Sequence, residues 1–149
     1  MIRAIEGREP TGVHLAVFVE PFLAAVLEGR KTMESRFTVT RQPPWRCVDP
    51  GDIILLKRSG GPVVGIACAG AAQSHELSPE LVQRLRARFA IQLCATDDDF
   101  WSSRAAKNYA TLIEFTHVEP LSGVAIKKRD RRGWVSYGRG VEGSLALAG

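Results

Sequence analysis

Short strand-like runs, separated by turns rich in glycine and proline, constrain this chain more than any other feature of its sequence. His14 to Val19 is apolar and suits a buried strand. Lys31 to Phe37 alternates, with Met33, Ser35 and Phe37 on one face and Thr32, Glu34 and Arg36 on the other. Asp52 to Lys57 follows, then a turn at Ser59 to Gly61 and Val63 to Ala69 as the hairpin partner. Tyr109 to Val118 is apolar on both faces, and Trp134 to Tyr137 supplies a last short strand. Helical stretches interrupt the series. In PFLAAVLEG, Pro21 suits the first helical position, Phe22, Leu23, Val26 and Leu27 form one apolar stripe, and Gly29 suits the position just past the end. Ser78, Pro79 and Glu80 combine a capping hydroxyl, a first-turn proline and an acid near the positive end of the helix dipole. Thr96 is placed to cap a further short helix, with Asp97 to Asp99 in its first turn and Arg104 and Lys107 at its end. This order predicts an α+β fold: a mostly antiparallel sheet curled into a small barrel and flanked by three helices.

A chain of 149 residues fits one domain with one core. We expect a lead-in over 1–12, the domain over 13–138 and a tail over 139–149. The hydrophobic share of 45 % excludes a disordered chain. No apolar run approaches the roughly 18 residues of a membrane helix. The segment MIRAIEGREP lacks the apolar stretch of a secretory signal, so a soluble, cytoplasmic protein is expected, with no membrane partner. Cys47, Cys68 and Cys94 are widely spaced and match neither a zinc site nor a disulfide framework. The consecutive acids Asp97 to Asp99 splay apart on a helix and make a poor metal site, so neither metal nor cofactor is expected. His14, His75 and His117 are scattered, and no spacing supplies a Ser-His-Asp or Cys-His set; His14, inside an apolar run, reads as structural.

The formal net charge of +4 has one source. Lys127, Lys128, Arg129, Arg131 and Arg132 surround a single acid, Asp130, while the other 15 basic and 15 acidic residues cancel. Such a run is either a phosphate-binding patch or a solvated turn. Trp134 follows it directly, and an aromatic beside cations either stacks a base or packs in the core. Lys57 and Ser59 flank a glycine turn whose N–H groups suit an anion, or which is a plain hairpin turn. Glu34 and Arg36, about 7 Å apart along one strand face, either form an ion pair or hold a ligand. In the second case Glu34 accepts from a base amino group while Lys31 and Arg36 hold oxygens. Strict alternation places Lys31 on the face opposite Glu34, so their convergence needs a twist near Gly29.

Gly29, Lys31, Glu34 and Arg36 match the GxKxxExR signature of the ASCH family, and the chain resembles that family over about residues 13–138. A strand and helix lead into the motif, a strand beginning at Gly51-Asp52 follows it, and KRSGGPVVG and KKRDRRGW resemble further family elements. The resemblance implies a PUA-like barrel with a cleft between the first helix, the motif strand and the C-terminal segment. It further implies RNA or a nucleotide-like molecule as partner, contacted by Lys31, Thr32, Glu34, Arg36, Lys57, Ser59, the basic run and Trp134. A related amidohydrolase group uses the motif lysine to assist a threonine nucleophile. In this chain Glu34 stands at that position, a poor substitute for an activated hydroxyl. Catalysis by Lys31 and Glu34 on RNA or a modified nucleoside is therefore the alternative to plain binding. A protein-interaction module in transcription or translation is the third possibility.

Overall fold

The computed structural model describes residues 11–128 and 130–139. The expected lead-in and tail thus fall largely outside the described residues, and Arg129 lies outside them too. The element order is β1 (Gly12–Phe18), α1 (Phe22–Leu27), β2 (Met33–Thr38), β3 (Ile53–Arg58), β4 (Val63–Glu76), α2 (Pro79–Phe89), α3 (Asp98–Ser102), β5 (Tyr109–Val124) and β6 (Trp134–Arg139). Each expected strand is present, though β4 and β5 run several residues further than their apolar stretches. Gly12 opens β1, inside the expected lead-in. Pro21 is the cap of α1 rather than its first residue, and Asp97, not Thr96, caps α3 by accepting from Asp99 N–H.

The strands form one six-stranded sheet in the order β2-β5-β4-β3-β1-β6. Only β1 and β3 pair in parallel; the other neighbours are antiparallel. The sheet curls into a half-barrel and does not close, which corrects the expectation of a barrel. The reason lies in the sheet order, which leaves β2 and β6 at opposite edges with no ladder between them. Register shifts at Cys68–Ala69 and Ala69–Ala72 mark where the long β4–β5 hairpin departs from regular pairing.

Two apolar clusters lie on the two faces of the sheet. One gathers Ala16, Phe18, Leu23, Val26, Ile54, Leu56, Ile113 and Trp134 under α1. The other joins Met33, Ala110 and Leu112 of β2 and β5 to Val82 and Leu85 of α2, to Leu93, and to Trp101 of α3. Neighbours Leu112 and Ile113 fall in different clusters, as the two-residue period of a strand requires. Each fully buried Leu or Ile contributes about 1.5–3 kcal/mol. The ring of Phe22, at the edge of the first cluster, meets that of Phe100, at the edge of the second, with centroids 5.9 Å apart. A cleft opens at this junction.

Candidate functional site

The cleft has a volume of about 400 Å³. Its walls come from Val17 and Phe18 of β1 and the following Val19, from Phe22, from Lys31, from Glu34 to Phe37 of β2, from Phe100 of α3, and from Ser103, Arg104 and Lys107 after it.

Local chain geometry explains how the motif converges. Gly29 adopts φ +80°, a left-handed conformation open to glycine at little cost. The chain turns there, and the N–H groups of Arg30 and Lys31 both donate to Ala25 O. Since β2 begins only at Met33, strand alternation does not govern Lys31. Its Nζ donates to Leu93 O at 2.8 Å and lies 3.2 Å from Glu34 Oε1. The same ammonium sits 5.2 Å from the Phe22 ring centre. Within β2, Arg36 Nε donates to Glu34 Oε2 at 3.0 Å. Arg36 Nη1 reaches Gly133 O at 2.9 Å and Nη2 reaches Val17 O at 2.8 Å. Its guanidinium lies over the rings of Phe18 and Trp134.

Glu34 is only 6 % exposed. Burial works against its charge, but Lys31, Arg36 and the Ser35 N–H outweigh burial and hold the carboxyl below its ordinary range. Ser35 N–H and Lys31 engage Oε1, while Arg36 engages Oε2 through Nε and Nη2. An ionised carboxylate has about four acceptor positions, so protein donors already satisfy this one. Glu34 and Arg36 thus form a buried ion pair in the cleft floor, and Lys31 completes it.

The other sequence-derived site residues lie elsewhere. Thr32 is exposed, and its N–H donates to Gln92 O. Lys57 Nζ donates to Arg58 O, and the Ser59 N–H holds Phe18 O at the end of β1, one step behind the cleft wall. In the basic run, Arg132 grips Asp130 with Nε and Nη2, and Lys128 donates to Asp130 O. The hydrogen bonds from Arg132 hold the Asp130 carboxyl down at about 2. Lys127 and Arg131 are exposed. The described cations of this run do not line the cleft; the motif's Arg36 reaches Gly133 O, just after the run. Trp134 is 2 % exposed, packed between Arg36 and His14, which leaves no open ring face for stacking a base.

Sequence reasoning missed Phe22, Phe37, Phe100, Arg104 and Lys107 as site residues. Arg104 Nη1 donates to Phe100 O and Ser103 Oγ, and its guanidinium lies 3.5 Å from the Phe100 ring centre. Among the described residues its other N–H groups have no protein partner, and the Lys107 ammonium has none. Burial lowers the Arg104 pKa, as does Arg36, while Glu34 opposes them; a guanidinium stays charged regardless. The i,i+4 spacing of Phe100 and Arg104 was the available signal, since a helix running on to Arg104, as the sequence suggests, sets both on one face; the observed helix ends at Ser102.

The whole arrangement is the ASCH-domain fold. An ASCH protein from Zymomonas mobilis aligns with a TM-score of 0.61 at 16 % identity, over 76 % of this chain and 73 % of that one. A serine-to-alanine variant of that protein gives 0.62 at 16 % identity, covering 79 % and 77 %. A tyrosine-to-phenylalanine variant gives 0.59 at 16 % identity, covering 76 % and 75 %. At such identity the likeness shows the fold alone. No family model matches the sequence, and no curated protein matches it. No helix among the described residues is long and apolar enough to cross a membrane.

Proposed function

We propose that this chain binds a nucleotide-like ligand, as RNA or as a free nucleotide, in the cleft between β2, α1 and the turn after α3. One observation carries this reading: Arg104 and Lys107 line an aromatic-walled cleft with N–H donors that no described protein group takes up. The Arg104 guanidinium lies over the Phe100 ring, and its free N–H groups suit phosphate oxygens, while the aromatic wall suits a base. Lys31, Glu34 and Arg36 act as the floor that shapes the cleft. Their mutual engagement supports binding over catalysis. A carboxylate held ionised by two cations is a weak base, and the Lys31 ammonium is committed to Leu93 O and Glu34.

The test is equilibrium binding of a short single-stranded RNA and of nucleoside monophosphates at low and moderate salt. Affinity is expected to fall as salt rises, because phosphate contacts release counterions. Arg104→Ala and Lys107→Ala are each expected to weaken binding about tenfold, within the range for losing a stacking or phosphate contact. Absence of binding at low salt, or equal binding by both variants, refutes the reading.

A further inference from the structure

A second group of chemically competent side chains lies behind the cleft floor, on the far side of Trp134 from Arg36. The antiparallel register of β1 and β6 sets His14 opposite Ser136. The parallel register of β1 and β3 brings Asp52, just before β3, to the same place. Ser136 Oγ lies 2.8 Å from His14 Nδ1, and Asp52 Oδ2 lies 2.8 Å from His14 Nε2. Cys47 Sγ is 3.4 Å from Ser136 Oγ. No local spacing announces this set, because 122 and 38 residues separate His14 from its partners. The sequence-based expectation that no Ser-His-Asp set exists is thereby corrected.

The proton positions follow from the neighbours. Trp134 Nε1 lies 3.2 Å from His14 Nδ1, and an indole N–H only donates. Nδ1 is therefore the accepting nitrogen and Nε2 carries the proton, which it donates to Asp52. Ser136 is the shorter of the two contacts at Nδ1, so its hydroxyl donates there. The N–H groups of Gly12 and Asp49 fix the Asp52 carboxylate at 3.1 and 3.0 Å. His14 and Asp52 are 2 % and 1 % exposed, whereas Ser136 is half-buried. That distribution sets a shielded base and orienting acid beside a half-buried hydroxyl. Among the described residues β6 is an edge strand, and an edge strand turns alternate N–H groups outward. Such groups suit a developing oxyanion.

We propose that Ser136, His14 and Asp52 form a nucleophilic site, separate from the cleft, that hydrolyses carboxylic esters. Ser136 Oγ bonds to the ester carbonyl carbon while its proton moves to His14 Nδ1. The carbonyl–alkoxy bond then breaks, and the alkoxide leaves with the proton from His14. Water attacks the acyl-serine, gives its proton to His14, and releases the acid as Ser136 recovers that proton. Asp52 stabilises the imidazolium formed in each half.

The test uses the full chain with a fluorophosphonate label and with 4-nitrophenyl acetate. Mass spectrometry is expected to find the phosphonyl group on Ser136, with no label in Ser136→Ala. Asp52→Asn and His14→Gln are expected to slow labelling and ester turnover about 100-fold or more while circular dichroism stays native. Where either variant unfolds, the comparison of Ser136→Ala with the unaltered chain decides alone. A chain that takes no label at Ser136, labels at Cys47 instead, or labels equally fast in folded His14→Gln overturns the proposal.

Discussion

At the residue scale, the motif spends most of its charge on itself. Lys31, Glu34 and Arg36 are one network, and each member keeps the others from being a lone charge in the interior. Removing one partner of a buried pair costs about 3–5 kcal/mol, against about 0–1 for an exposed pair such as Arg30 with Glu28. Lys31→Ala is accordingly expected to lower the urea unfolding free energy by several times as much as Arg30→Ala. Glu34 adds a pH dependence of known sign. Its folded pKa lies below the ordinary 4.5, so its contribution is present above about 4.5 and is lost as pH falls through the folded value. Stability measured across that acid range should decline, and Glu34→Gln should flatten the decline. Alternation made the Glu34–Arg36 pairing legible from sequence alone. The approach of Lys31 was not, because it depends on where the turn after Gly29 ends and β2 begins.

At the element scale, Arg36 does what a strand ladder would otherwise do. Its guanidinium joins β2 to Val17 O at the end of β1 and to Gly133 O just before β6. Arg36→Lys keeps the charge but loses the fork that reaches two carbonyls at once. We expect faster amide hydrogen exchange over Trp134 to Gly138 in that variant, with a loss of about 3 kcal/mol in unfolding free energy. Unchanged protection of β6 would show that the seam is held by packing instead. The strands and helices were readable in order because each carries its own period and its own turn signals. Their meeting points were not. Phe100 and Arg104 sit about seventy positions from β2, and nothing local marks them as its neighbours.

At the scale of the whole molecule, the charge excess and the proposed binding cleft are separate features. Composition locates the excess at Lys127 to Arg132, and there the eye goes first. Yet Asp130 takes up Arg132 and Lys128, while among the described residues the cleft-lining donors without a protein partner belong to Arg104 and Lys107. In the binding experiment each phosphate-contacting cation removed should reduce the salt slope by about one. Lys107→Ala should do so, whereas Lys127→Ala should leave the slope of a cleft-bound nucleotide unchanged. Long-range convergence of this kind is a property of the folded chain and is invisible to composition. The open seam carries a consequence of its own. Hydrogen-bonded ladders fix register, and a slip of one residue turns every side chain over. Here, among the described residues, Arg36 spans the seam with side-chain hydrogen bonds to two carbonyls in place of a ladder, and such a link carries no register of its own. The gauge of the cleft is then set by the reach of an arginine rather than by the arithmetic of strand pairing.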